Sequence, residues 1–209
     1  FLLGLVGVIA VVSDLGLSLT HAKRASEEED IAEGIGAAIV LKGGLTLAVM
    51  LVLNLCPVVG RWSERGMLGT REHLVAYYVL ASMFLFRAAG TVATSTFRGR
   101  LEVAKISGAQ LVSSLAAALA KIGVALGGLG LVALSASYLL EDVVLAAVAL
   151  LFFRGYSVKW PRRVHLRRYV TFALPVMLTF VMGNLTANGD RVLLGTFWGD
   201  AEVGYYLAV

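Results

Sequence analysis

Asp14, Lys42, Arg87, Lys121, Glu141 and Asp142 fall inside long apolar stretches, and Asp190 closes the last of them. An ionised side chain at the centre of a bilayer costs about 2.5–3.5 kcal/mol on insertion scales, so each must meet a partner or a wet cavity. The first six are three bases and three acids. As pairs they would lock helices together. As a hydrated path they would pass a charged substrate or a coupling ion. Ionisable residues on several helices exceed what fixing helix register needs, which favours the path for the set.

Their neighbours support a polar interior. Residues three, four, seven and eleven apart share one helix face. Asp14 shares its face with Gly7, Ala10, Ser18 and His21; Arg87 with Thr91, Thr94 and Arg98; Lys121 with Gln110, Ser114 and Ala117. Asp190 aligns with Thr179, Gly183 and Thr186, and Lys42 has Thr46 beside it. Asp14 and Lys42 lie on consecutive antiparallel runs, about 10 and 13 Å from their cytoplasmic ends by helical rise, so the two can pair. Arg87 falls near mid-membrane with Glu141 and Asp142 at similar depth, and Lys121 lies further toward the outer side.

None of these groups assembles a reaction centre. Ser113-Ser114 and Thr94-Ser95 have no histidine base nearby in sequence. His21 and His165 are expected in basic connectors and His73 at a helix start, each without metal-ligand company. Cys56 is the one cysteine. The expectation is a protein that is not an enzyme, with no cofactor, no metal and no nucleic-acid partner.

The elements that position these residues are six apolar stretches, at approximately 1–20, 34–59, 73–97, 106–127, 131–153 and 169–189. Each is long enough to cross roughly 30 Å of hydrocarbon as a helix. Hydrophobic residues make up 58% and charged ones 15% of the chain, too little polar surface for a soluble core of this size. The expected class is all-α, a polytopic transmembrane bundle in a cell (inner) membrane.

Loop charges give the orientation. Lys23, Arg24, Arg98, Arg100, Lys105, Arg154, Lys159, Arg162, Arg163, Arg167 and Arg168 lie on one side, against Arg61, Arg65, Arg71 and Arg191 on the other. The more basic side faces the cytoplasm. Ser26 followed by Glu29 reads as a capping box for the second helix. The Gly127-Gly128-Leu129-Gly130 run reads as a tight reversal between the fourth and fifth. It is no nucleotide loop, since no strand precedes it and no Lys-Ser/Thr follows. Pro175 in the sixth span removes one backbone hydrogen bond and is a candidate hinge. Residues 154–168 carry Pro161 and the densest charge. They read as a topology signal and connector, with contact to anionic headgroups as the weaker reading. Phe1 lies inside an apolar run and residues 204–209 read as the start of another helix, so the sequence reads as a piece of a larger transporter-like protein.

The order of features resembles the lipid-linked oligosaccharide (O-antigen type) flippases among polysaccharide biosynthesis proteins, within the multidrug/oligosaccharidyl-lipid/polysaccharide exporter superfamily. The carrying residues are Asp14-Leu15-Gly16-Leu17-Ser18 with Lys23-Arg24 and the acidic stretch 27–30. They continue with Leu166-Arg167-Arg168-Tyr169, Leu174-Pro175 and Asn188-Gly189-Asp190-Arg191-Val192-Leu193-Leu194-Gly195. Phe197-Trp198-Gly199 and Glu202-Val203-Gly204-Tyr205-Tyr206 complete the match, and Arg98-Gly99-Arg100 is similar to a cytoplasmic connector. The resemblance implies a first bundle over 1–153 (helices two to six of the family), a basic cytoplasmic connector at 154–168 and the start of a second bundle at 169–209. It implies alternating access to a cavity between two bundles, a polyprenyl-pyrophosphate-linked sugar as cargo, and membrane lipids as partners. Arg87 and Lys42 would then screen the pyrophosphate, while Asp14 would answer a coupling cation or hold Lys42. The alternatives are a cation-coupled multidrug exporter of the same superfamily and a membrane-embedded glycan polymerase. Short loops count against the polymerase.

Overall fold

In hydrocarbon every backbone N–H and C=O must find its partner within the segment, so an apolar run of this length has the helix as its stable form. The computed structural model describes residues 13–27, 31–60 and 71–197, with the side chains of 56–60, 180–181 and 184–197 left aside. Its helices are α1 (Leu17–Glu27), α2 (Ala32–Gly60), α3 (Arg71–Gly99), α4 (Val103–Leu126), α5 (Leu131–Phe153) and α6 (Arg163–Phe197). There is no strand among the described residues, and the chain is all-α. Among the described residues four helices are long and apolar enough to cross a membrane: Ala32–Leu55, Arg71–Gly99, Val103–Leu126 and Leu131–Phe153. The stretches 1–20 and 169–189 fall partly outside the described residues and side chains.

The central element is α3, which packs along α5 and also meets α1, α2 and α4. Close approach to α5 is possible because Gly90 offers no side chain; a Cβ there would lie 3.4 Å from the Ala146 backbone. Two apolar clusters form along this axis. Toward the start of α3, Val49 and Leu53 of α2 pack with Tyr77, Leu80 and Phe84 of α3. Toward the end of α3, Ala93 and Phe97 pack with Ile106, Ala109 and Ala149. Arg87 and Thr91 on α3 and Asp142 on α5 lie between the clusters along their helices, and Lys42 precedes Val49 on α2, so the polar groups form a middle layer. α6 packs on α1 and α2.

Three local outcomes depart from the sequence reading. The first run is not one continuous helix. Ser13 and Asp14 are helical, then Leu15 (φ 44°) and Gly16 (φ 72°) turn left-handed before α1 starts. Glycine suits this position twice, since it adopts that φ without cost and a Cβ would lie 2.7 Å from Val176 of α6. Ser26 does not cap α2. It lies in the last turn of α1, where its Oγ donates to the Lys23 carbonyl at 2.7 Å, and Glu27 pairs with Lys23 and Arg24 across that turn. Glu29 lies outside the described residues. Third, α6 begins at Arg163, inside the basic stretch, because Arg and Leu residues there are good helix formers and the turn needs only residues 154–162. The glycine reversal is as expected: α4 ends at Leu126, α5 begins at Leu131, and Gly128 has φ 59°.

Candidate functional site: a layer of membrane-embedded ion pairs

Each of the six span-embedded charges finds an opposite charge on another element. Lys42 of α2 donates to the Asp14 carboxylate, which also accepts from Ser18 Oγ. Both members are well covered, with 7% and 17% of their side chains exposed. This is the pairing that their depths suggested. The break at residues 15–16 carries Asp14 on the turn ahead of α1, and the Ser18 contact survives it.

Arg87 of α3 makes a two-pronged contact with Asp142 of α5, from Nε to Oδ1 at 3.2 Å and from Nη2 to Oδ2 at 3.0 Å. Asp142 is buried, while Arg87 keeps 36% of its side chain exposed. Lys121 of α4 lies 3.3 Å from Glu141 of α5 and 4.2 Å from the centre of the Tyr138 ring. Adjacent residues on a helix point about 100° apart, so Asp142 serves α3 and Glu141 serves α4 from one turn of α5. Similar depth alone left Arg87 with two candidate partners, and the rotation of α5 selects Asp142.

The remaining predicted positions are less involved. Gln110 and Ser114 are exposed and do not join Lys121. Pro175 lies inside α6, exposed, with Thr179 Oγ1 donating to its carbonyl at 3.3 Å. Asp190 is on the helical backbone of α6, but its side chain lies outside those described.

Sequence reasoning missed one polar group. His21 was expected in a connector, yet it is 1% exposed inside α1. Its Nδ1 lies 2.9 Å from the Tyr169 hydroxyl of α6 and its Nε2 2.8 Å from Thr96 Oγ1 of α3. Thr96 spends its one proton on the Val92 carbonyl, so it must accept from Nε2–H. His21 Nε2 therefore carries a proton, and Nδ1 faces the Tyr169 hydroxyl. The available signal was its place on the Asp14 and Ser18 face. A cavity of about 10 Å³, room for one water, is lined by Ser18, His21, Lys42, Thr91 and Ser95. It connects the Lys42–Asp14 pair with the histidine.

Beyond the ends of α3 and α5 a second set of contacts ties the loops. Glu102 accepts from the Tyr156 hydroxyl at 2.7 Å and from Lys105 Nζ at 2.9 Å. Burial works to raise Glu102, but the bonds from Lys105 and Tyr156 and the charges of Lys105 and Arg100 outweigh it and hold the carboxyl below its ordinary range. Burial, then the bond to Glu102 and its charge, pushes Tyr156 up to about 12.

The arrangement is suited to holding ions and anionic groups. A guanidinium has five N–H donors, and Asp142 takes two of those on Arg87. A family model described as polysaccharide biosynthesis protein matches residues 3–208. The chain belongs to that family. No curated protein and no solved structure matches it. A polysaccharide biosynthesis protein with four membrane-capable helices among its described residues is a multi-pass membrane protein of that process.

Proposed function

We propose that this polysaccharide biosynthesis protein flips a polyprenyl-pyrophosphate-linked oligosaccharide across the cell (inner) membrane, as a transporter and not an enzyme. The observation that carries the reading is Arg87. Its guanidinium is oriented by a buried carboxylate at mid-membrane, yet it keeps accessible surface and three donors that meet no partner among the described residues. Guanidinium forks match phosphate oxygens in geometry and charge, and a pre-oriented fork loses little freedom on binding. The lipid tail would stay in the bilayer while the sugar head passes along the polar layer. Asp14 is held by Lys42, so it answers a coupling cation only when that pair opens.

The drug-exporter reading wants carboxylates ready for cationic substrates. Every described carboxylate of the layer already has a basic partner, which gives that reading less support.

The test is glycan export by the full-length protein carrying Arg87→Ala or Arg87→Lys, at matched protein levels. Arg87→Ala should lower export by about tenfold or more, the loss of one charge-assisted contact, with Arg87→Lys intermediate. Unchanged export in Arg87→Ala would remove this residue from the pathway and the reading with it.

A further inference from the structure

α2 and α5 lie on either side of α3 without packing along one another. Between them runs an apolar groove of about 300 Å³, walled by Ile39 and Gly43 on α2 and by Leu150 and Phe153 on α5. Its floor is the small residues of α3, among them Ala89. The stem of Lys42 reaches the groove, but its ammonium is turned to Asp14. Ile39, Ala89 and Leu150 are exposed, so the groove opens sideways.

The cytoplasmic end of this groove is bridged by the connector. The chain leaves α5 at Phe153 and crosses to α2, where Lys159 N–H donates to the Ala32 carbonyl at 3.0 Å. Gly36 lets that crossing sit tightly, with the Lys159 carbonyl and the Pro161 ring directly over it. Arg162 and His165 then reach Glu33 at 3.3 and 3.0 Å. The bridge is therefore fixed at both ends. Arg154, Val158, Lys159 and Trp160 point outward from it, Trp160 being 85% exposed. A tryptophan beside basic residues at the end of a span is suited to the headgroup level. The cytoplasmic leaflet supplies anionic headgroups there.

We propose that this groove and its bridge form a binding site for one anionic glycerophospholipid of the cytoplasmic leaflet. An acyl chain lies between Ile39 and Leu150, and the phosphate meets Arg154, which follows Phe153 at the α5 end of the bridge. Charge complementarity at the bridge and apolar shape in the groove select the same molecule independently. The connector then does more than set topology, because its cations are presented at a fixed place above an acyl-sized slot.

The experiment is native mass spectrometry of the full-length protein with phosphatidylglycerol or phosphatidylcholine added. The wild type should retain phosphatidylglycerol over phosphatidylcholine. Arg154→Gln should cut that preference about fivefold, the loss of one cation at the headgroup. Gly43→Leu fills the slot without a clash, since a Cβ at Gly43 meets nothing within 4 Å, and should reduce retention of both lipids. Ala89→Leu fills it from the floor and gives a second reading should Gly43→Leu fail to fold. Equal retention of the two lipids by the wild type overturns the proposal, as does unchanged retention in the slot-filling variants. Displacement of bound phosphatidylglycerol by an equimolar amount of polyprenyl phosphate would assign the groove to a carrier lipid and also overturn it.

Discussion

Asp142 shows why single charges here are costly to remove. It is buried and holds Arg87 by two bonds, so replacing it leaves a guanidinium at mid-membrane without its counter-charge. Asp142→Leu should lower stability by about 3 kcal/mol, less if Arg87 can swing toward water. Arg87→Leu combined with Asp142→Leu should recover most of that loss while abolishing export. Thermal melting by fluorescence-detected size exclusion checks both. If the double variant melts as low as the single one, the pair is not the source of the cost. His21 gives a different residue-scale expectation. Thr96 gives its proton to the Val92 carbonyl, so nitrogen NMR of labelled protein should show a proton on His21 Nε2. Tyr169→Phe removes the partner of Nδ1 and should cost about 1 kcal/mol. A wild-type His21 with no proton on Nε2 would contradict the geometry.

Among the elements, what could be read from sequence and what could not divide along physical lines. Span length and the glycine reversal are local properties, and both were legible: apolar runs of fixed length must be helices in hydrocarbon, and residues 127–130 cannot continue one cheaply. The break at Leu15 and Gly16 was not legible, because it answers to α6, whose Val176 occupies the space a side chain would need. The choice of Asp142 over Glu141 likewise depends on how α5 is rotated against α3 and α4. His21 was misread because its two partners are far away in sequence. The clasp between α3 and the connector carries a pH expectation of its own. Glu102 is depressed, so its contribution is present above the ordinary carboxylate value of about 4.3 and is lost as pH falls through its lowered one. Tyr156 is raised, so its contribution is full below about 10 and is lost as pH rises through about 12. The ultraviolet titration of the wild type minus that of Tyr156→Phe should show a late tyrosinate wave, and it should shift earlier in the Glu102→Gln background. A difference wave at the ordinary tyrosine position would mean that the clasp does not form.

For the molecule as a whole, the loop charges lead to the expectation that the end carrying the bridge faces the cytoplasm. With Cys56 replaced by serine, Trp160→Cys and Leu129→Cys should react with a membrane-impermeant thiol reagent from opposite sides, since both positions are exposed and lie at opposite ends of α5. Labelling of both from one side would invert or dismantle the arrangement. The pairing of the middle layer has a further consequence. Lys42 with Asp14, Arg87 with Asp142 and Lys121 with Glu141 each sum to zero. An elementary charge moved across the membrane potential exchanges about 2.3 kcal/mol per 100 mV. Three neutral dipoles displaced together exchange almost none. A rocking motion of these helices would therefore be electrically silent, and any voltage sensitivity of turnover would have to be carried by the cargo or by an ion that travels with it.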